Sequence, residues 1–240
     1  MNQIYFALII TISCFIQAVA GFGLPMVATP FLAALFGIRT AVPLMAIIIL
    51  ELQVMMILRY RRSLDTRSVL HISAAALLGI PVGVIFLARV PESITLTILG
   101  LILIFYALYS ILNFPVPALE HPNWAYLIGF ISGLGGGAYN MAAPPMIIYG
   151  DTQRWEPSLF KGNLQGCFLI ITIAAIVSHF LNGSLGADVL LRSALAIPFV
   201  LLGAFAGFFL DLFINSGIFR KIVLVLLLAL GINLALAWRG

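Results

Sequence analysis

Read from its N-terminus, the chain is a series of long apolar runs separated by short polar breaks. Plain runs fall near residues 41–58, 68–88, 93–112, 156–180, 189–210 and 218–238, each close to the ~20 residues needed to cross hydrocarbon as a helix. Two stretches depart from this form. Residues 3–36 would be roughly 50 Å long as one helix, well beyond the ~30 Å of a bilayer core, and are interrupted by Gly21, Gly23 and Pro25. Residues 123–150 are interrupted by Gly133, Gly135, Gly136 and Gly137. Each stretch is predicted to be a pair of short helices broken at membrane depth. In the second, the short helix is expected to begin at Ala138, with its N–H groups facing an anion.

Compared with itself, the chain contains a duplication. A shift of 114 residues lays Gly21, Gly23, Pro30 and Pro43 onto Gly135, Gly137, Pro144 and Pro157, and a shift of 124 lays Gly79 and Gly83 onto Gly203 and Gly207. The expected halves are residues 1–113 and 123–240, with 114–122 as connecting loop. The two Gly-x-x-x-Gly pairs predict small-residue stripes that let helix backbones approach closely. Unpaired backbone in hydrocarbon costs several kcal/mol per group unless it is buried or lines a wet cavity. Paired breaks in corresponding halves therefore point to a transporter's binding site.

Composition sharpens the picture. Of 240 residues, 63% are hydrophobic and 8% charged, against about a quarter charged in a soluble domain. A water-exposed surface cannot be built from this chain. Ala18-Val19-Ala20 imitates a signal-peptide cleavage site, but no positive n-region precedes it and the glycines just beyond have internal counterparts, so the segment is read as part of the fold.

The formal charge of +4 sits in clusters at the ends of apolar runs, an orientation signal and no nucleic-acid patch. If each broken segment crosses once, Lys and Arg divide six against six. If each turns back, Arg59, Arg61, Arg62, Arg67, Arg154, Lys161, Arg220 and Lys221 fall on one side against Arg39, Arg89, Arg192 and Arg239. The larger bias favours two oppositely oriented halves, with the 59–67 loop cytoplasmic and positions 65 and 185 on opposite sides.

Gly133-Leu134-Gly135-Gly136-Gly137-Ala138 has the form of a dinucleotide fingerprint but follows an apolar helix instead of a strand. No hydrolase motif and no carboxylate cluster occurs, and no metal or cofactor is expected. His71, His121 and His179 lie near segment ends and read as interfacial polar residues. Cys14 and Cys167 read as small buried hydrophobes.

Glu51, Gln53, Asn140, Lys161, Asn163 and Gln165 interrupt apolar segments, where a polar group is a functional candidate or holds the bundle together. Asn163 is read as structural. The predicted solute site comprises Gly21, Gly23, Pro25, Gly135, Gly136, Gly137, Asn140, Lys161 and Gln165, with Glu51 as the proton-coupling group paired to Lys161. Val at Gly23 or Gly137 is expected to abolish transport, and a similar change at Gly37 to be milder.

The segments Gly21-Phe-Gly-Leu-Pro-Met-Val-Ala-Thr-Pro30 and Gly133-Leu-Gly-Gly-Gly-Ala-Tyr-Asn-Met-Ala-Ala-Pro144, opening two apolar halves, resemble those of the sulfite exporter TauE/SafE family of membrane permeases. The resemblance implies a bacterial inner-membrane carrier of small sulfur-containing anions such as sulfite, thiosulfate or sulfonates, with protons as a coupling ion. The fold expected is an all-α polytopic membrane protein of two inverted repeats. Its partners are the solute, the lipid bilayer and, as an open alternative, further copies of the chain. An intramembrane enzyme and a non-transporting scaffold are the competing classes.

Overall fold

The computed structural model describes residues 2–112, 119, 121, 123–211, 213 and 216–236. The described chain is all-helical. Its helices are α1 (Asn2–Ala20), α2 (Leu24–Phe36), α3 (Ile38–Tyr60), α4 (Thr66–Arg89), α5 (Glu92–Leu112), α6 (Asn123–Tyr139), α7 (Ala143–Thr152), α8 (Pro157–Leu181), α9 (Ala187–Leu210) and α10 (Ser216–Leu236). Six helices among the described residues are long and apolar enough to span a membrane. Most of the 114–122 connection, Arg239 and the side chain of Arg220 lie outside the described residues.

Helix directions follow from what lies against the glycines. A Cβ on Gly79 would strike the backbone of Phe130 and Leu134, and one on Gly83 that of Leu134 and Ala138, so α4 and α6 run the same way. On the other side, Gly203 lies against Thr11 and Cys14, and Gly207 against Phe15 and Ala18, so α9 runs with α1. Helices α3 and α8 are antiparallel: Gln53 bonds Gln165, while Gly162 lies against Ser63 and Leu64.

Because α8 also starts beside the start of α4, helices α6 and α8 both run with α4, and the ten-residue α7 between them must turn back. Helix α9 runs with α1 and also with α3, whose end meets the end of α9 through Arg59 and Asp211, so α1 and α3 run together and α2 turns back between them. Each broken segment therefore goes in and returns.

The contacts pair off two by two. Helix α4 packs on α6 as α9 packs on α1, and α5 on α10 and α3 on α8 meet their own counterparts. The 124-residue shift is visible in this packing, since Gly79 meets Phe130 and Leu134 where Gly203 meets Thr11 and Phe15. At the breaks the structure corrects the shift of 114. Gly21, with φ +84°, corresponds to Asn140, with φ +58°, a spacing of 119 that also carries Gly23 onto Ala142 and Pro25 onto Pro144. The glycines matched in sequence are five residues out of register because those of the second half belong to helix packing.

Helix α2 and the first half of α3 are buried nearly all round, as central segments should be. Leu, Ile, Val and Phe side chains of α1, α4, α5, α9 and α10 are exposed outward, the arrangement lipid contact requires. The α3–α4 turn includes a single 3-10 turn over Arg61–Ser63 and ends at Asp65, whose carboxylate caps α4 by accepting from the backbone of Arg67 and Ser68. The Ser68 hydroxyl above all, together with those two N–H groups, holds the Asp65 carboxyl below its ordinary pKa.

The antiparallel α3 and α8 put the 61–65 and 182–186 turns at opposite ends of the bundle. Arg59, Arg61, Arg62, Arg67, Arg154, Lys161 and Lys221 gather at the first end, and Arg39, Arg89 and Arg192 at the other. We expect Arg62→Cys and Gly186→Cys to react with an impermeant maleimide from opposite sides of oriented vesicles. Labelling from one side would contradict this arrangement.

Candidate functional site

Each break is built by a different local rule. At the first, Gly21 and Gly23 both hold positive φ, open to glycine without the Cβ penalty. The last helical bond runs from the Gly21 N–H to the Gln17 carbonyl. Gln17 then reaches past the break, its Oε1 accepting the Leu24 N–H at 3.0 Å and satisfying one of the free donors at the start of α2.

At the second break α6 continues through Gly133, Gly135, Gly136 and Gly137 and ends at Tyr139. The turn is made by Asn140 in the left-handed region, its own N–H donating to the Gly136 carbonyl and the Met141 N–H to the Gly135 carbonyl, a left-handed C-cap of the helix. The short helix thus starts at Ala143 and not at Ala138. An apolar helix tolerates consecutive glycines when a neighbour packs directly on them: Gly133 and Gly137 lie against the backbone of Ala76 and Ile80.

The two breaks converge on one cavity of about 30 Å³, room for about two waters. From the first break it takes Gln17, Phe22, Gly23 and Pro25, and from the second Gly136, Asn140, Ala142 and Ala143. Ile49 of α3 and Phe168, Ile171, Thr172 and Ala175 of α8 complete the wall. The N-terminal ends of α2 and α7 both border this space, which gives it positive helix-dipole character. Pro25, Pro144 and Pro145 remove donors from those first turns, so the field favours an anion without a dense ring of N–H bonds to trap it.

Beside the cavity lies a buried amide bridge. Gln53 Nε2 donates to Gln165 Oε1 at 2.7 Å and to the Gln165 carbonyl at 2.9 Å. Gln165 Nε2 in turn donates to the Gly21 carbonyl at 2.7 Å. Asn140 makes the reciprocal tie, donating from Nδ2 to the Val42 carbonyl at 2.8 Å. Both breaks are thereby anchored to a helix of the other half. Asn163 ties α8 to the α3–α4 turn, its Oδ1 accepting the Asp65 N–H at 2.8 Å.

Of the sequence-derived residues, Gly23, Pro25, Gly136 and Asn140 line the cavity, while Gly21 and Gln165 hold its edge. Gly135 and Gly137 do not line it. Lys161 lies beside Gly21, with Nζ 5.7 Å from the Tyr60 ring centroid. The expected Glu51–Lys161 ion pair is not formed; the ion pairs among the described residues are Arg59–Asp211 and Arg192–Asp188. The reason is helical phase. Gln53 points at α8, and Glu51, two residues earlier, points roughly 200° away.

Gly37 also differs from expectation. It holds φ +78° and packs on the Glu92 carboxylate, so a side chain there is strained despite its place between helices. His71 packs against Tyr126, His121 accepts from the Asn123 N–H, and His179, in the last turn of α8, is 1% exposed. Sequence reasoning missed Gln17, Phe168 and Thr172. A signal was present: Lys161, Gln165, Phe168, Thr172, Ala175 and His179 recur at intervals of four and three, which places them on one stripe of α8.

Asn140 supports a specific expectation, since Asn tolerates a left-handed backbone better than most residues. Asn140→Ala should destabilise by about 1–3 kcal/mol through backbone strain and the lost bond to Val42. Asn140→Gly, relieved of strain, should lose less. Detergent thermal unfolding of the two variants checks this order, and equal losses would remove the strain argument.

A multi-helix apolar bundle in which two returning helix breaks meet at a central cavity defines the chain as a multi-pass membrane protein of transporter architecture. The family model described as "Sulfite exporter TauE/SafE" matches residues 5–234. The chain belongs to that family. A relative from Cupriavidus necator, described as "Probable sulfite/organosulfonate exporter TauE", is 22% identical over 229 residues, covering 92% of this chain and 89% of the relative. No solved structure matches the chain.

Proposed function

We propose that this protein is a bacterial inner-membrane exporter of a small sulfur oxyanion, sulfite or an organosulfonate, built as two inverted halves with the solute passing between the two breaks. The carrying observation is that both breaks, 119 residues apart, border one cavity with helix N-termini on two sides. Family membership and the name of the Cupriavidus relative support the solute class. The same features favour a carrier over an enzyme, because the polar side chains of the cavity are amides and a hydroxyl with no general base among them. Alternating access would part the walls, since about 30 Å³ holds water but not a four-atom oxyanion.

Proton coupling, where present, rests on Glu51. Its half-buried carboxylate lies within α3, and its Oε2 is buried without a hydrogen-bond partner. The test is flux of ³⁵S-labelled sulfite into liposomes containing only this protein. We expect saturable uptake that responds to an imposed proton gradient, and uptake in Glu51→Gln that ignores the gradient. Absence of flux in the wild type would overturn the carrier reading. An unchanged gradient response in Glu51→Gln would remove the carboxylate from coupling.

A further inference from the structure

The α8 stripe does not stop at the central cavity. It runs from Lys161 to His179, about 27 Å along the helix axis, and at its far end borders a second cavity of about 120 Å³. This cavity lies between the start of α3, the end of α4 and the α8–α9 turn, and its polar lining is Arg39, His179, Asn182 and Ser184 against an α4 wall that includes Val84 and Leu87. It opens at the bundle end opposite Lys161.

His179 is the unexplained group there. It is 1% exposed, and neither ring nitrogen has a partner among the described residues. A buried imidazole left without hydrogen bonds is costly, because one of its nitrogens always carries a proton and both prefer a partner. Its ring borders a space that Arg39 also borders. Arg39 spends one N–H group on the Val90 carbonyl at 3.2 Å, leaving further donors of its fork. Of the nearby carboxylates, Glu92 accepts the Ile38 N–H at 2.8 Å and Asp188 pairs with Arg192, and neither lines the cavity. Ser184, at the lip of the cavity, accepts from Asn182 Nδ2 at 3.1 Å. The cavity thus offers a guanidinium and an imidazole N–H, with no carboxylate among its lining residues.

We propose that this cavity is a second anion station, in which a small tetrahedral oxyanion of the sulfonate or sulfate type is held between the Arg39 guanidinium and the His179 ring at one mouth of the transport path. The reasoning rests on the reading of the chain as an anion carrier. A planar guanidinium presents paired N–H groups that match two oxygens of such an anion, and the imidazole N–H meets a third. The cavity is about four times the volume of the central one, so a polyatomic anion fits without rearrangement of the helices. An anion leaving the central cavity along α8 passes Thr172 and Ala175 before reaching His179 one turn further on.

Occupancy can be read without measuring transport. Cys14 and Cys167 are buried, so in Ser184→Cys the introduced thiol is the one a polar maleimide reaches. The probes are methanesulfonate and inorganic sulfate, because sulfite itself adds to maleimides. At about ten times the dissociation constant, mass action slows labelling about tenfold, and gluconate at equal ionic strength should not. Adding Arg39→Gln should abolish the protection, Arg39→Lys should retain part of it, and His179→Leu should weaken it. Size-exclusion profiles and an unchanged labelling rate without anion report that each variant is folded. Absence of protection, or protection that survives Arg39→Gln, overturns the station. If wild-type liposomes carry sulfite while protection is absent, the station is wrong and the carrier reading stands. If protection obeys Arg39 but no flux occurs, the station stands and the carrier reading fails.

Discussion

Gly79→Val should separate α4 from α6 and cost the protein most of its folded yield. A Cβ at Gly79 would overlap the Phe130 carbonyl oxygen and approach the Leu134 nitrogen to 2.8 Å. The obstacle is backbone, so no side chain can swing aside. Overpacking typically costs 1–3 kcal/mol and sometimes more; with two backbones in register we expect about 3 kcal/mol, or a fall in Tm of roughly 6–12 °C for a chain of this size. Gly133→Val and Gly137→Val should behave likewise, because the carbonyls of Ala76 and Ile80 stand where their side chains would go. Thermal unfolding by size-exclusion fluorescence measures the effect. Gly186→Ala is the control, since nothing lies within 4 Å of a Cβ there. A well-folded Gly79→Val protein would show that the two helices do not pack this closely. In Gly137→Val the loss of transport expected from the sequence should therefore be accompanied by a packing lesion against Ile80.

The second large effect is expected at Gln165. Replacement by Leu removes the donor to the Gly21 carbonyl and the side-chain acceptor for Gln53. Each orphaned buried polar group costs about 1–3 kcal/mol, less whatever the Gln165 backbone carbonyl still gives Gln53. Gly21 sits at the break that opens onto the cavity, so slackening its carbonyl should lower sulfite flux at least as much as it lowers stability. In Gln53→Leu with Gln165→Leu, one of the orphans is gone. The double variant should be no less stable than Gln165→Leu alone, with a coupling of about 0.5–3 kcal/mol in the cycle. Additive losses would indicate that the two amides do not act as a unit, and flux equal to wild type in Gln165→Leu would remove the bridge from the transport machinery.

The register of the two breaks is hidden in the sequence because a glycine-to-glycine alignment pairs Gly21 with Gly135, yet Gly21 corresponds to Asn140 in backbone conformation. Sequence does not say whether a glycine is chosen for a left-handed turn or for close packing. Gly21 and Gly23 serve the first purpose, and Gly133 and Gly137 the second. The Gly79 and Gly203 match succeeded because both glycines have the same task, meeting the backbones of Phe130 and Thr11 in turn.

The apolar runs, the two interruptions and the segregated charge determined by themselves that this is a multi-pass helical membrane protein with paired breaks, because hydrocarbon admits only helices whose backbone is internally bonded. The spans were legible to within about three residues for the same reason. Which polar residues meet was decided by tertiary structure alone. Glu51 and Gln53 are equally conspicuous in the sequence, but the 100° step between successive helical residues turns Gln53 toward Gln165 and Glu51 away. His179 reads as a helix-end residue in one dimension and as a buried cavity wall in three, since burial depends on what α3 and α4 bring against it.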